Sequence, residues 1–555
     1  MKQKAYKTNP ETKRDHRRRG LRISPPQETP KEKQRVTDGR TGNKKSEEKM
    51  SLDSSSSRSG GSVVVVALVG GAAIGMVVSR WLFPSADEYR RVFSGKWVTK
   101  EQTKECVLSL RRKYVCSALS LSYDVPLMMV EARGSWMVDE SGRRYLDTRN
   151  NVCHVGHCNE KVARAVAQQV FTLNTNTRYL HVNMCDLARR LVQTMPKGSE
   201  LERSGVCVFA NSGTEANDLA LRMARAFTKK KGVVVLDGAY HGHSVATMEI
   251  SPYKYRKENK NPDYVEVALK PDAYRGRQSS KAYISDVKVK VDLLEKKGFG
   301  VSAFFFESFQ SCAGLVVPPP TYLNAVVDLV HSRGGICICD EVQTALGRAV
   351  DNEDQWYAFE TLLPKGQAPD IVTIGKPLGN GMPIACVITT KAIAEAFAEG
   401  PEYFNTFGGN PVCCAAALAV LEEIPRLRKN AIAVGNYLKE KLFSIAAKQH
   451  RHRPVVTIGD VRGSGLYLGV DLVTDFDSRQ PATQAAAFIC SALLREHSIL
   501  TTLDGPFHNV IVIKPPLCFS LKDADYFLDA LLSHMDNLAT LPAHILLAAG
   551  DTPNT

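Results

Sequence analysis

Length, composition and charge place this chain among globular proteins. It has 555 residues, of which 44% are hydrophobic and 23% charged, so it can bury a large core and is neither fibrous nor wholly disordered. Its formal net charge is +14, but residues 1–62 hold 17 Lys/Arg and 8 Asp/Glu and so carry +9 of that charge. A basic tail is typical of a solvated segment, and the rest of the chain shows no basic stripe. We therefore expect no nucleic acid among its partners.

The N-terminal part combines this basic tail with one apolar run. Residues 1–62 are polar and rich in Ser, Lys and Arg, which predicts disorder. Residues 63–83 are uncharged up to Ser79, just long enough for a spanning helix that ends at Arg80 and Trp81. We therefore expect a single N-terminal membrane anchor. Two alternatives stay open: the run is a buried strand or helix, or the natural chain begins downstream and the protein lies in the cytosol or mitochondrial matrix.

Fourteen cysteines are scattered along the chain, without a Cys-x-x-Cys pair or a Cys/His set at metal-ligand spacing. Cys337 and Cys339 lie in one apolar run, and Cys413 and Cys414 lie in another. This pattern is typical of buried, reduced thiols. We expect no metal site, and a folded part that faces a reducing compartment, the cytosol or the mitochondrion.

From about residue 103, strand-length apolar runs alternate with helix-like segments. In the segment 215–227, Leu219, Met223 and Phe227 recur at intervals of four, which indicates a helix. Runs that are apolar throughout are typical of parallel strands covered on both faces. The alternation predicts an α/β fold with a large, doubly wound, mostly parallel sheet. The predicted strands are 206–210, 233–236, 303–306, 336–339, 371–374 and 384–388.

The same alternation divides the chain into successive parts. We predict a linker and N-terminal segment over residues 84–170 and a large sheet domain over 171–415. A smaller C-terminal α/β domain follows over 416–540, and a short tail over 541–555. An Ala-rich helix after Pro411 is expected to lead from the large domain into the small one.

The stretch FANSGTEAN places small polar residues between a predicted strand and a predicted helix. Ser212, Gly213 and Thr214 would present backbone N–H groups and two hydroxyls at the helix N-terminus, which is a typical anion site and fits a phosphate group. An ordinary helix cap explains the same residues, with Glu215 favouring the helix dipole. The motif alone leaves both interpretations open.

Three more residues with chemical potential follow predicted strands, namely Tyr240, Asp340 and Lys376. An aromatic ring can stack on a flat ligand, a buried carboxylate needs a cationic partner, and a lysine in an apolar site can act as nucleophile and base. The simpler explanations are a core tyrosine, a salt bridge from Asp340 to Arg348, and a lysine that reaches solvent. With the phosphate cup, these residues together describe a site for pyridoxal phosphate. There Tyr240 would cover the ring, Asp340 would pair with the pyridinium nitrogen, and Lys376 would form the Schiff base.

Five motifs carry a resemblance to a known family: SGTEAN, AYHGHS, DEVQTALGR, DIVTIGKPLGNG and FNTFGGNP. Over residues 103–540 the chain resembles the class III pyridoxal-phosphate-dependent aminotransferases of fold type I. The resemblance implies an obligate homodimer with the active site at the subunit interface, where Thr406 reaches the cofactor phosphate of the neighbouring subunit. It also implies that Gln343 lies near the phenolic oxygen of the ring, and that His241 and Glu307 lie beside the cofactor.

Further motifs are most similar to one branch of that family. NNVCHVGHC, LNTNTRYLH, ISPYKYR, PDAYRG and KPPLCFS resemble the ethanolamine-phosphate and 5-phosphohydroxy-L-lysine phospho-lyases. A transaminase usually holds the carboxylate of a 2-oxo acid with an arginine, and the family position for that arginine is Val512 here. Lys514 projects to the same face of a predicted strand and would meet a substrate phosphate, and Arg178 is a second candidate. A surface lysine and a helix-capping arginine are the simpler explanations.

These observations predict a phospho-lyase that acts on a small phosphorylated amine, with ethanolamine phosphate and 5-phosphohydroxy-L-lysine both open. Lys376, once displaced by the substrate amine, is expected to act as general base, while Asp340 keeps the ring nitrogen protonated. Two alternatives remain: a class III aminotransferase, for example between alanine and glyoxylate, and a membrane-tethered pseudoenzyme that serves as an interaction module. Intact Tyr240, Asp340 and Lys376 argue against the pseudoenzyme.

Overall fold

The computed structural model describes residues 103–255, 261–276, 278–452 and 456–540. The tails predicted over residues 1–62 and 541–555 lie outside the described residues. The elements that precede the large sheet are helices and a three-stranded antiparallel meander. They are α1 (Lys104–Tyr114), β1 (Met129–Arg133), β2 (Trp136–Asp139), β3 (Arg144–Asp147), α2 (Glu160–Thr172), α3 (Val182–Gln193) and α4 (Glu200–Ser204).

Strands and helices then alternate through the central part of the chain, with two short 3₁₀ helices at Pro252–Lys254 and Ala358–Thr361. The strands are β4 (Gly205–Ala210), β5 (Gly232–Leu236), β6 (Val265–Ala268), β7 (Val301–Glu307), β8 (Ile336–Asp340), β9 (Ile371–Ile374) and β10 (Ala385–Thr390). The helices are α5 (Gly213–Thr228), α6 (Val245–Glu249), α7 (Ser280–Lys296), α8 (Tyr322–Ser332), α9 (Lys376–Gly379) and α10 (Lys391–Ala398).

The seven central strands form one sheet in the order β4-β10-β9-β8-β7-β5-β6. The five strands from β9 to β6 are parallel, whereas β10 runs antiparallel to both β4 and β9. All six strands predicted from apolar runs belong to this sheet. The pattern does not predict β6, because Glu266 interrupts its short apolar run.

Helices cover both faces of this sheet. Phe304 and Phe306 of β7 pack in the same hydrophobic cluster as the inward faces of α7 and α8, whereas Phe305 packs with Leu219 and Met223 of α5. Alternate side chains of one strand therefore enter two different cores, and every residue of β5, β7, β8 and β9 is buried. The predicted doubly wound, mostly parallel α/β fold is confirmed.

The C-terminal part begins with a helix of 42 residues that starts at Pro411, as predicted. Its elements are α11 (Pro411–His452), β11 (Thr457–Ser464), β12 (Tyr467–Asp475), β13 (Gln480–Pro481), α12 (Thr483–His497), β14 (Ile499–Leu500), β15 (Leu503–Asp504), β16 (Val510–Ile513) and α13 (Leu521–Thr540). Strands β11-β12-β16-β15 form an antiparallel sheet, to which β13 adds on β12. This is the smaller α/β part that the sequence predicts, although its predicted boundary at residue 416 stays a prediction.

One strand pairing joins the N-terminal and C-terminal parts of the described chain. Strand β14 lies parallel to β3, with Ile499 opposite Leu146 and Leu500 opposite Asp147. The result is a four-stranded sheet, β1-β2-β3-β14, that joins the N-terminal meander to the C-terminal part. The segment 84–170, predicted as a linker and N-terminal segment, therefore contributes strands to the folded protein from Met129 onward.

The predicted membrane-anchored localisation needs correction. None of the described helices is both long and apolar enough to cross a bilayer. The longest of them, α11 and α13, carry charged side chains along their length, such as Lys522, Asp523 and Asp529 in α13, and one such charge at the centre of a spanning helix costs about 2.5–3.5 kcal/mol. The run over residues 63–83, where the anchor was predicted, lies outside the described residues. The described residues therefore give no support to the predicted membrane-anchored localisation.

All fourteen cysteines lie within the described residues, and no disulfide bond joins any two of them there. The predicted buried pairs are buried in β8 and at the start of α11. Burial raises the pKa of Cys414 to about 12, so that this thiol stays protonated and unreactive. Cys337 also lies in a group with His331 and Asp370 whose ligand atoms are within 4.8 Å of one another. The absence of a metal site therefore stays a prediction.

The close packing of α11 predicts that a glycine-to-alanine change within it destabilises the protein, although alanine has the higher helix propensity. Replacing a glycine inside a helix with alanine normally stabilises it by about 1 kcal/mol. At Gly435, however, an added Cβ would lie 2.1 Å from the carbonyl oxygen of Gly465, in the turn between β11 and β12. We expect Gly435→Ala to lower the free energy of unfolding by about 1–3 kcal/mol, as overpacking does, measured by thermal and urea unfolding. Asn436→Ala on the exposed face of α11 is the matched control. A Gly435→Ala protein as stable as this control would contradict the predicted clash.

Candidate active site

A cavity of about 350 Å³ lies at the carboxyl edge of the seven-stranded sheet. Its walls come from the ends of β4, β5, β7, β8 and β9 and the segments that follow them, because the carboxyl ends of parallel strands meet at one edge. A cavity of this size takes a small organic ligand. Nine residues predicted for the site line it: Ser212, Gly213, Thr214, Tyr240, His241, Glu307, Asp340, Gln343 and Lys376.

The N-terminus of α5 forms one wall of this cavity. Ser212 caps the helix, since its hydroxyl accepts a hydrogen bond from the N–H of Glu215 at 3.2 Å. The remaining N–H groups of the first turn have no acceptor within the helix. A Cβ at Gly213 would lie 2.5 Å from Val342 Cγ1, so only glycine lets α5 begin this close to the segment after β8. The wall therefore offers the backbone N–H groups that a phosphate group would require, and the predicted phosphate cup stays a prediction.

Asp340 is 7% exposed and is held by three neighbours. Asn217 Nδ2 donates to its Oδ2 at 2.7 Å, His241 Nδ1 lies 2.9 Å from the same oxygen, and the N–H of Val342 donates to Oδ1 at 3.0 Å. The His241 ring packs on Phe305 with the ring centroids 4.5 Å apart, which fixes its orientation. The carboxylate is therefore oriented by two residues that follow strands of the sheet and by one residue of α5.

Arg348, the alternative partner for Asp340, is engaged elsewhere. Its Nη1 donates to the carbonyl oxygens of Leu466 at 3.2 Å and Pro515 at 2.6 Å, and its Nη2 lies 3.2 Å from His154 Nδ1. In the described part of the chain, no Lys or Arg nitrogen lies within 4.0 Å of the Asp340 carboxylate. Asp340 is thus a buried carboxylate that faces the cavity without a fixed cationic side chain.

Glu307, the last residue of β7, is 5% exposed. It accepts hydrogen bonds from the N–H groups of Tyr240 at 3.1 Å and Ser311 at 3.3 Å. Burial, together with the charge of Asp340, raises the pKa of Glu307 to about 8, so the side chain is largely protonated at neutral pH. Burial also raises the pKa of the Tyr240 phenol, which therefore remains neutral beside the cavity.

Lys376 is the first residue of the short helix α9, directly after the end of β9. Burial lowers the pKa of its ammonium group, and the positive charge of Lys514 lowers it further, whereas the charge of Asp340 opposes this shift. No carboxylate oxygen of the described residues lies within 4.0 Å of its nitrogen. The side chain is thus a lysine whose neutral amine is favoured by its surroundings, as a nucleophile or base requires.

A second cavity, of about 560 Å³, shares Lys376 and Gln343 with the first. Lys514 lines it, one residue beyond the end of β16. The Lys514 ammonium lies 3.4 Å from Ser311 Oγ and 3.5 Å from Asp504 Oδ2. The predicted substrate lysine therefore does face a cavity beside Lys376, and the simpler explanation of a surface lysine is excluded.

Arg178 and Thr406 line neither cavity of their own chain. Arg178 is exposed, with its guanidinium 4.4 Å from the ring centre of Phe404 and 3.3 Å from Glu402. Thr406 is exposed in the same segment. Arg178 therefore lies outside both cavities of its own subunit, and its substrate role stays a prediction. The role of Thr406 in a neighbouring subunit stays a prediction.

Sequence reasoning does not single out two asparagines that shape the site. Asn217 is 1% exposed and links Asp340 to β9, because Thr373 Oγ1 donates to its side-chain oxygen at 2.6 Å. Asn151 Nδ2 donates to Gln343 Oε1 at 2.8 Å and so orients an amide that lines both cavities. The sequence does contain a signal for Asn217. It follows Thr214 by three residues, and this spacing places both side chains on the same face of the helix. No local signal marks Asn151, because its partner lies 192 residues away.

The lining residues fit pyridoxal phosphate, the cofactor that the sequence predicts. The start of α5, which requires Gly213, suits the phosphate, and the Asp340 carboxylate, which no lysine or arginine of the described residues pairs with, suits a protonated ring nitrogen. The buried Nε2 of His241 has no hydrogen-bond partner among the described residues, which leaves room for a polar ligand beside it. Lys376 and Tyr240 lie in the same cavity, with an amine and an aromatic face.

Comparisons with known proteins agree with this geometry. The model of the family described as aminotransferase class-III matches residues 120–535. A Drosophila melanogaster protein named alanine–glyoxylate aminotransferase 2-like is 44% identical over 461 residues, which cover 80% of this chain and 89% of the relative. A Caenorhabditis elegans protein named ethanolamine-phosphate phospho-lyase homolog 1 is 39% identical over 438 residues, covering 76% and 91%.

A solved structure is also similar over most of this chain. It is a phospholyase from Arthrobacter in complex with phosphoethanolamine, with a TM-score of 0.71 and 34% sequence identity. The match covers 79% of this chain and all of that chain. Other similar structures are aminotransferases and transaminases, so the predicted fold type I is confirmed.

The raised pKa of Glu307 makes a testable prediction about stability. Between about pH 5 and pH 8 the folded protein keeps a proton on Glu307 that the unfolded chain has lost, so this group destabilises the fold as the pH rises. In the cofactor-free protein, this group should lower the free energy of unfolding by up to about 1.4 kcal/mol per pH unit, and Glu307→Gln should abolish that decrease. The measurement compares unfolding midpoints across this pH range, with Glu440→Gln on the exposed face of α11 as control. Parallel pH profiles for wild type and Glu307→Gln would show that Glu307 titrates normally.

Proposed function

The chain belongs to the class-III aminotransferase family and works with pyridoxal phosphate, and on that basis we propose that it is a phospho-lyase. Its substrate is a phosphorylated amino alcohol or amino acid, ethanolamine phosphate or 5-phosphohydroxy-L-lysine. The products are an aldehyde, ammonia and inorganic phosphate. The observation that carries this proposal is the position of Lys514, a largely but not fully buried cation in the cavity next to Lys376.

The position that would distinguish a transaminase supports the same proposal. Val512 is fully buried in β16, opposite Gly469 of β12, and packs in an apolar cluster with Phe309 and Leu315. It offers no charge for the carboxylate of a 2-oxo acid. Lys514, two residues later, offers a compact point charge that suits a phosphate group. The cation at this edge of the cavity therefore favours a substrate phosphate.

Bound pyridoxal phosphate supplies an aldehyde that takes up a primary amine and a ring that stores the electron pair of a carbanion. The N-terminus of α5 would hold its phosphate, and Tyr240 would cover its ring. The Asp340 carboxylate, fixed by Asn217 and His241, would accept a hydrogen bond from the protonated ring nitrogen. Glu307, protonated at neutral pH, adds no negative charge beside that pair.

Lys376 then performs the proton transfer. Burial lowers the pKa of its ammonium group, which favours the amine form that removes a proton from the substrate carbon carrying the nitrogen. The carbon–oxygen bond of the adjacent carbon breaks, and the phosphate leaves with the bonding electron pair. Lys514 stabilises the phosphate as negative charge develops on it. Water then hydrolyses the released enamine to an aldehyde and ammonia, so atoms and electrons balance without a redox partner.

The named relatives support this proposal to different degrees. The Caenorhabditis elegans relative and the Arthrobacter structure are named for phospho-lyase activity, the latter with phosphoethanolamine bound. The Drosophila relative, at higher identity, is named for alanine–glyoxylate aminotransfer, and this favours the transaminase as the second candidate. Aminotransfer would require a residue close to Lys376, other than Val512, that binds the carboxylate of the 2-oxo acid.

We further propose that the enzyme is a homodimer with its active site at the subunit interface, as class-III aminotransferases typically are. Large apolar side chains are exposed near Arg178 and Thr406: Phe171 is 82% exposed, Leu180 100% and Phe407 67%. Exposed apolar surface of this kind is typical of a protein–protein interface. Thr406, exposed in its own subunit, would then approach the cofactor phosphate of the partner subunit.

The function is tested by supplying the purified enzyme and its cofactor with ethanolamine phosphate, and separately with 5-phosphohydroxy-L-lysine. We expect equal amounts of phosphate and ammonia from at least one of them, and the loss of both in Lys376→Ala because no other side chain replaces its amine. Lys365→Ala, away from both cavities, is the control. Pyruvate formed from alanine and glyoxylate, without phosphate release from either phosphorylated amine, would identify a transaminase instead.

Lys514 can be tested through substrate affinity. A charge-assisted hydrogen bond is worth about 1.5–3 kcal/mol, so Lys514→Met should raise KM for the phosphorylated substrate by about tenfold or more. Lys522→Met, an exposed lysine on α13, should leave KM unchanged. Steady-state rates of phosphate release provide the measurement. An unchanged KM in Lys514→Met would remove this residue from the substrate site.

A further inference from the structure

The second cavity extends beyond the part that Lys376 and Lys514 require. Lys376 and Gln343 lie where it meets the first cavity. Tyr123, Arg149 and Thr502 lie where it meets a third cavity of about 450 Å³. A ligand whose amine reaches Lys376 therefore has space to continue toward Arg149.

Arg149 carries a charge that no carboxylate of the described residues pairs with. Among the described residues, no carboxylate oxygen lies within 4.0 Å of its guanidinium. The nearby carboxylate of Asp147 is engaged with His157 at 2.7 Å and accepts the backbone N–H groups of Arg149 at 3.1 Å and Asn150 at 2.9 Å, not the Arg149 guanidinium. A half-buried guanidinium without an anionic partner is costly unless a ligand supplies the anion.

Tyr123 positions this guanidinium. Arg149 Nη1 donates to the Tyr123 hydroxyl at 3.2 Å, and the guanidinium carbon lies 5.6 Å from the centre of the Tyr123 ring. One nitrogen is thereby held while the rest of the planar fork remains available. Such a fork matches a carboxylate with two parallel hydrogen bonds, whereas Lys514 acts as a point charge.

We propose that Arg149, held by Tyr123, binds a carboxylate of the substrate several bonds away from the reacting amine. This inference rests on the phospho-lyase function proposed above and narrows its substrate class. Ethanolamine phosphate has one anionic group and leaves one of the two cations unused. A phosphorylated amino acid such as 5-phosphohydroxy-L-lysine places its phosphate at Lys514 and its distant carboxylate at Arg149.

Two ligands without an amine test this assignment, because they cannot react with the cofactor. They are 6-phosphonohexanoate, which carries a phosphonate and a distant carboxylate, and pentylphosphonate, which lacks the carboxylate. Titration calorimetry on the holoenzyme gives a dissociation constant for each. We expect the wild-type enzyme to bind 6-phosphonohexanoate about tenfold more tightly, as one charge-assisted pair allows.

The variants separate the two cations. Arg149→Met should abolish the preference and leave binding of pentylphosphonate unchanged, whereas Lys514→Met should weaken both ligands alike. Tyr123→Phe, which keeps the ring and the fold, should reduce the preference about threefold because the guanidinium loses its positioning bond. Arg164→Met, on the exposed face of α2, is the control for a lost surface arginine.

Two outcomes would overturn the inference. If the wild-type enzyme shows no preference, Arg149 meets no carboxylate. If Arg149→Met weakens both ligands equally, Arg149 holds the same phosphate as Lys514. Both results are independent of turnover. A failure to release phosphate from any substrate would contradict the phospho-lyase proposal, while the carboxylate preference and its loss in Arg149→Met would still support the site at Arg149.

Discussion

The site depends on the parallel arrangement of strands β9, β8, β7 and β5. Parallel strands bring their carboxyl ends to one edge, so the residues at or just after those ends meet although they come from separate parts of the chain. Lys376 follows β9, Asp340 ends β8, Glu307 ends β7, and Tyr240 follows β5. The antiparallel β10 lies between β9 and β4, and still leaves the N-terminus of α5 beside Val342 and Gly375. The cup for the phosphate and the residues for the ring thus share one cavity.

Burial then acts in opposite directions on the two kinds of titrating group. It disfavours the charged form in each case, so it raises the pKa of Glu307 and lowers that of Lys376. The site consequently holds a neutral acid and an amine that loses its proton readily, and Asp340 is the negative group left to meet a cationic ring nitrogen. Burial therefore supports the proton transfer assigned to Lys376. It also leaves Glu307 without the charge that would compete with Asp340.

The two cavities divide recognition into separate tasks. The first cavity suits the cofactor, and the second carries Lys514 close to Lys376 and Arg149 at its junction with the third cavity. Lys514 is partly neutralised by Asp504 at 3.5 Å, whereas the described residues provide no such partner for Arg149. Because of this difference in charge balance, we assign the substrate phosphate to Lys514 and a substrate carboxylate to Arg149.

The sequence by itself predicted the α/β class and six of the seven strands of the large sheet. Local changes from apolar to polar residues at strand ends pointed to six of the cavity residues, and the family resemblance added His241, Glu307 and Gln343. The sequence also pointed to pyridoxal phosphate through motifs whose residues are close in the chain. Only the tertiary structure decided the features that depend on distant residues. These include the pairing of β14 with β3, the link from Asn151 to Gln343, the burial of Arg348 away from Asp340, and the position of Arg178 outside the cavities. A local pattern reports which face of an element is buried, but not which remote side chain it meets, and that choice rests on the packing of the whole chain.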